Sequence, residues 1–143
     1  MRGSTILKCI CVFAFMVKSV SASTINKEDA VYTQDKLSIS VSANQPEFTI
    51  KLKSNPTTGY SWFLKSYSEK LIQPVKYVFQ APQDKKLMGA PGYELWTFRA
   101  KPDAFVVPQQ TSLSFAYARP WETDVNSQPL VFTVNTKAEH PVH

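Results

Sequence analysis

From residue 37 onward the chain alternates apolar and polar side chains in short runs, with prolines scattered between them. Leu37, Ile39 and Val41 alternate with Ser38 and Ser40; Phe48, Ile50 and Leu52 alternate with Thr49, Lys51 and Lys53. Leu113-Phe115-Tyr117 and Leu130-Phe132-Val134 repeat the pattern. A period of two puts every second residue on one face, and β-branched and aromatic residues suit a half-buried pleated surface. Further runs occupy 60–65, 75–80 and 93–100. Between the runs stand the breakers Asn55-Pro56, Pro74, Pro82, Pro91, Pro102, Pro108, Pro120 and Pro129. Seven or eight short strands at this spacing predict an all-β fold, an immunoglobulin-like antiparallel β-sandwich. No segment carries a helical stripe; residues 66–71 have room for one turn.

The segment ahead of this pattern reads as an address. Arg2 and Lys8 precede an uninterrupted apolar run at 9–17, and Val20-Ser21-Ala22 offers the small residues that a signal peptidase accepts. A membrane anchor needs about 20 apolar residues, and Lys18 ends this run well short of that. Residues 1–22 are therefore expected to be a cleaved signal peptide, 23–34 a polar segment, 35–137 the sandwich domain and 138–143 a loose tail. The expected location is periplasmic or secreted, with no membrane attachment after cleavage.

Cleavage changes the chemistry that remains. Three of the 16 basic residues (Arg2, Lys8 and Lys18) leave with the leader, so the formal charge falls from +5 to +2. The remaining cations are scattered, with Lys85-Lys86 the only adjacent pair. Phosphate recognition needs clustered cations, so nucleic acid is not an expected partner. Cys9 and Cys11 also leave. The exported chain would have no disulfide, thiol nucleophile or thiolate ligand.

Glycine and tryptophan are sparse beyond the leader, and their positions are informative. The glycines are Gly59, Gly89 and Gly92, in Asn55-Pro56-Thr57-Thr58-Gly59-Tyr60 and Gly89-Ala90-Pro91-Gly92. Trp62 and Trp96 lie inside runs and read as core. Trp121 stands in Arg119-Pro120-Trp121-Glu122, a connection where an exposed contact role is favoured. Two strands separate the first segment from the second, and two more separate the second from the third. Each antiparallel strand crosses the sandwich once, so all three segments are expected at the same end. Loops clustered on a rigid sandwich make a binding surface.

Catalysis has few resources here. His140 and His143 fall in the last four residues. No triad, zinc site or phosphate loop can be assembled from the rest, so no metal or cofactor is expected. Glu122 and Asp124 are the only carboxylates close together in one loop, and a glycosidase needs its pair about 5–10 Å apart across a cleft. A secreted hydrolase using them is a minor reading. A second alternative is a carbohydrate-binding or adhesive β-sandwich module, which would explain Trp121 and Tyr93 but neither glycine loop.

In order and separation, the three segments resemble the loops of the chagasin family of cysteine-peptidase inhibitors. That family is marked by NPTTG followed by an aromatic, then G-x-(G or P)-G, then RPW. The resemblance spans about residues 35–137. It implies a non-enzymatic, monomeric inhibitor of papain-like, cathepsin-type cysteine peptidases, with the loops entering the active-site cleft. Thr57, Thr58 and Gly59 would sit at the catalytic cysteine, while Gly89 to Gly92 and Arg119 to Trp121 would grip the cleft walls. Asn55, Pro56, Tyr60, Ala90, Pro91 and Pro120 complete the implied contact set.

Overall fold

In the computed structural model, which describes residues 30–84, 86–122 and 128–138, the alternation becomes eight strands. They are Ala30–Thr33 (β1), Ser38–Val41 (β2), Glu47–Ser54 (β3), Ser61–Ser66 (β4), Ile72–Gln80 (β5), Gly92–Ala100 (β6), Gln109–Ala118 (β7) and Leu130–Thr136 (β8). One sheet has the order β1-β3-β6-β5 and the other β2-β8-β7-β4. The expected all-β sandwich is present, with its apolar faces turned inward.

Strand β3 shows why. Phe48, Ile50 and Leu52 are buried while Lys51 and Lys53 point outward. Within one sheet Phe48 stacks on Phe98 with ring centroids 5.7 Å apart, and across the core Phe98 meets Phe115 edge to face at 6.1 Å. Phe115 in turn meets Phe132 at 6.0 Å. These four rings are almost wholly buried and run from one sheet to the other. Burying each such side chain is worth about 1.5–3 kcal/mol, so this column is a main source of cohesion.

Three details differ from the sequence expectation. Strand β1 lies within the stretch read as polar: only Tyr32 is buried, with the small Ala30 packed partly against the core, so four residues carry too little alternation to register. Both β1 and β2 pair in parallel, with β3 and β8 respectively, so the sandwich is antiparallel except at these two edge strands. Pro74, expected to separate two runs, sits inside β5 at a register shift. An edge strand with a bulge accepts proline because one of its sides needs no ladder partner. The signal peptide, both cysteines, Lys85, Asp124 and both histidines lie outside the described residues.

The remaining connections sort to two ends. At one end, a turn at Ser68 to Leu71 and a 3-10 turn at Pro102–Phe105 meet through Lys101 N–H donating to the Leu71 carbonyl, 2.8 Å. At the other end lie residues 55–60, 81–84, 86–91 and 119–122, as strand counting requires.

Candidate functional site

The first loop is built by its own side chains. Asn55 caps a 3-10 turn at Pro56–Thr58: its Oδ1 accepts from the Thr57 amide (3.3 Å) and from the Thr57 hydroxyl (2.6 Å). The Thr58 hydroxyl donates to the Asn55 carbonyl at 2.6 Å. Pro56 needs no donor at the first helical position, where its fixed φ already suits the turn. Gly59 then leaves the turn with φ of 80° and donates its amide to the Pro56 carbonyl, 3.0 Å. Side-chain-bearing residues rarely adopt this left-handed conformation. A Cβ on Gly59 would also lie 2.9 Å from the Trp121 ring, which would have to shift.

That close approach joins the third loop to the first. Arg119 Nε donates to the Thr58 carbonyl at 3.2 Å, and its guanidinium lies 4.6 Å from the Tyr60 ring centroid. The same guanidinium pairs with Glu122, 3.2 Å. Both partners are well exposed, so the ion pair itself contributes at most about 1 kcal/mol. Tyr60 stacks on Tyr117 at 5.3 Å on its way out of the loop. Arg119 and Tyr60 thus brace the loops from behind.

The second loop is tied in through Asn55, whose Nδ2 donates to the Gly89 carbonyl, 3.3 Å. Gly89 also has φ of 80°. Gly92 is buried at the start of β6, where a Cβ would come within 2.6 Å of the Gln80 carbonyl. Its lack of a side chain lets the two strands meet at the loop base. The loop also carries Leu87 and Met88, the latter fully exposed. The motif reading omits both, although two large apolar residues ahead of a turn glycine are a usable signal.

The first segment therefore contacts both of the others, which brings all three sequence-predicted segments together at one end. Pro56, Thr57, Thr58, Pro91, Pro120 and Trp121 are exposed; Asn55, Gly59, Tyr60, Ala90 and Arg119 are half-buried supports. Trp121 is 69% exposed, without a core role. Trp62 and Trp96 pack against the core, as expected.

Beneath the loops the core turns polar. Trp62 Nε1 donates to the Lys53 carbonyl (2.9 Å) and its ring lies 4.9 Å from that of Tyr117. The Tyr117 hydroxyl accepts the Asn55 amide at 3.0 Å. Glu94 is buried to 1% exposure and accepts the Trp62 amide at 3.2 Å. Tyr77 lies beside it: burial first, then the Glu94 charge and a hydrogen bond to it, push the phenol above its ordinary pKa. No group of three or more His, Cys, Asp or Glu among the described residues is placed to hold a metal ion. Nor is any helix among them long and apolar enough to cross a membrane.

Comparison with known proteins agrees with this picture. The sequence model of the Chagasin family peptidase inhibitor I42 matches residues 40–136. No curated protein sequence matches. Among solved structures, the cysteine protease inhibitor EhICP2 from Entamoeba histolytica is similar, with a TM-score of 0.58 and 22% identity. That match covers 77% of this chain and 95% of EhICP2. Amebosin matches with a TM-score of 0.55 and 22% identity, over 78% of this chain and 98% of its own. PbICP-C, solved in complex with falcipain-2, gives a TM-score of 0.50 and 15% identity, over 78% and 91%. At such identities the structures establish a shared fold; the family match spans most of the sandwich.

Proposed function

Because the chain belongs to the chagasin family of peptidase inhibitors, we propose that it inhibits papain-like cysteine peptidases by inserting its three-loop end into their active-site cleft. The observation that carries this reading is the bonding of the loops to one another. Asn55 to Gly89 and Arg119 to Thr58 join three separate segments into one projecting edge. A binding edge already ordered before contact avoids much of the entropy cost of association.

The first loop supplies occlusion without being a substrate. A peptidase cleaves a segment drawn out in extended form, whereas Pro56–Thr58 are wound in a 3-10 turn held by five hydrogen bonds. Thr57, Thr58 and Gly59 would face the catalytic cysteine. Trp121 would bury its exposed ring on one wall of the cleft, with Pro91, Met88 and Leu87 against the other. Arg119 and Tyr60 act as braces for these contacts. PbICP-C, with the same fold, was solved bound to falcipain-2, which makes a peptidase the natural partner to test. Export through a cleaved leader at 1–22 belongs to the same proposal, since an exported inhibitor meets peptidases outside the cytoplasm.

The test is selectivity by peptidase class. The purified protein is expected to abolish hydrolysis of a small peptide by papain or a cathepsin and to leave trypsin active. Full papain activity at micromolar inhibitor would overturn the proposal. Glycan binding in its place would favour the adhesive alternative.

A further inference from the structure

Strand β4 is an edge strand, with β7 as its only neighbour. Opposite Tyr117, the Trp62 amide points away from that neighbour and donates to Glu94 of the other sheet, at 3.2 Å. A buried carboxylate is an expensive way to serve one edge amide and the Tyr77 phenol beside it. Its second oxygen, Oε2, has no hydrogen-bond partner, and neither does the nearby buried hydroxyl of Ser54. Taking a carboxylate out of water costs more than one hydrogen bond to it returns, so stability alone does not account for Glu94.

Its position does. Glu94 lies two residues after Gly92, at the base of the second loop, and opposite Leu52 on β3, three residues before Asn55. From Trp62, which it holds, contacts run through the Tyr117 ring (4.9 Å) and the Tyr117 hydroxyl to the Asn55 amide (3.0 Å). Asn55 is the residue that caps the first loop and binds the second. We infer that Glu94 is a positioning residue for inhibition: by holding the Trp62 amide across the sandwich it sets the spacing of the first and second loops without touching the peptidase. This rests on the reading of that loop end as the inhibitory surface.

The full chain is compared with Glu94→Leu and Glu94→Gln by papain inhibition, thermal midpoint and the Trp62 backbone amide resonance. Wild-type inhibition is measured first, so a failure of the proposed function shows there and not in the variants. Glu94→Leu leaves the Trp62 amide without its acceptor, so it is expected to melt below wild type, to shift the Trp62 amide resonance and, per folded molecule, to inhibit at least about tenfold more weakly. Glu94→Gln keeps a carbonyl oxygen in place and is expected to stay within about threefold of wild type. Wild-type inhibition by Glu94→Leu, or a loss in Glu94→Gln as large as in Glu94→Leu, would overturn the inference. Should Glu94→Leu not fold, the glutamine variant decides: retained inhibition with an undisplaced Trp62 amide supports it, and lost inhibition refutes it.

Discussion

The two ends of the sandwich close in opposite ways. Away from the loops, Leu71, Ile72, Ala104 and Phe105 seal the core, all of them buried. At the loop end the corresponding layer holds Ser54, Glu94 and the Tyr117 hydroxyl, while Trp121 and Met88 stand exposed above it. Apolar packing is non-directional and rewards buried area. Hydrogen bonds weaken steeply when misaligned and so fix direction. The first end therefore contributes cohesion, and the second holds three loops in one arrangement. Under the proposed function a partner would cover the exposed aromatic surface there.

The largest expected effect separates the ends. Phe105→Ala should lower stability by about 3–5 kcal/mol, read as a fall in thermal midpoint, while the fraction that remains folded inhibits papain normally. A weakened inhibition constant per folded molecule would show that the ends are not independent. Gly59→Ala should do the reverse. Its left-handed backbone costs roughly 1–2 kcal/mol with a side chain, and the new Cβ displaces Trp121, so inhibition falls more than stability does.

Trp121→Ala comes next. Removing an exposed aromatic anchor should weaken inhibition by about 1–2 kcal/mol or more and move stability by no more than about 0.5 kcal/mol. Inhibition equal to wild type would remove Trp121 from the contact surface while leaving the other loops in place. Arg119→Ala, which loses the Thr58 carbonyl and the Tyr60 ring together, should cost about 1 kcal/mol of inhibition. The smallest effect belongs to Glu47→Gln, far from the loops. It breaks the exposed pair with Arg99, so denaturant melts should differ by less than about 1 kcal/mol and inhibition should not change.

The same contrast explains what was legible in the sequence. Strands with one apolar face, such as β3 and β8, announce themselves through alternation. The end at which the loops gather follows from counting crossings. Strand β1 is hidden because its inward residues are only Ala30 and Tyr32, too few to show a period. Strand β6 misleads: in Tyr93-Glu94-Leu95 the polar residue is the buried one. Alternation assumes that inward means apolar, which fails where geometry outweighs cohesion. The loop motifs mark which segments matter, but the bonds between them, Asn55 to Gly89 and Arg119 to Thr58, link residues 34 and 61 positions apart and depend on the folded sandwich.

Steady-state hydrolysis of a small peptide by papain, titrated with the protein at several substrate concentrations, tests the loop-end account most directly. Occupation of the cleft predicts competitive inhibition, in which apparent KM rises with inhibitor, kcat stays constant, and the inhibitor chain is recovered uncut. A fall in kcat at constant KM, or cleavage within 55–60, would contradict it.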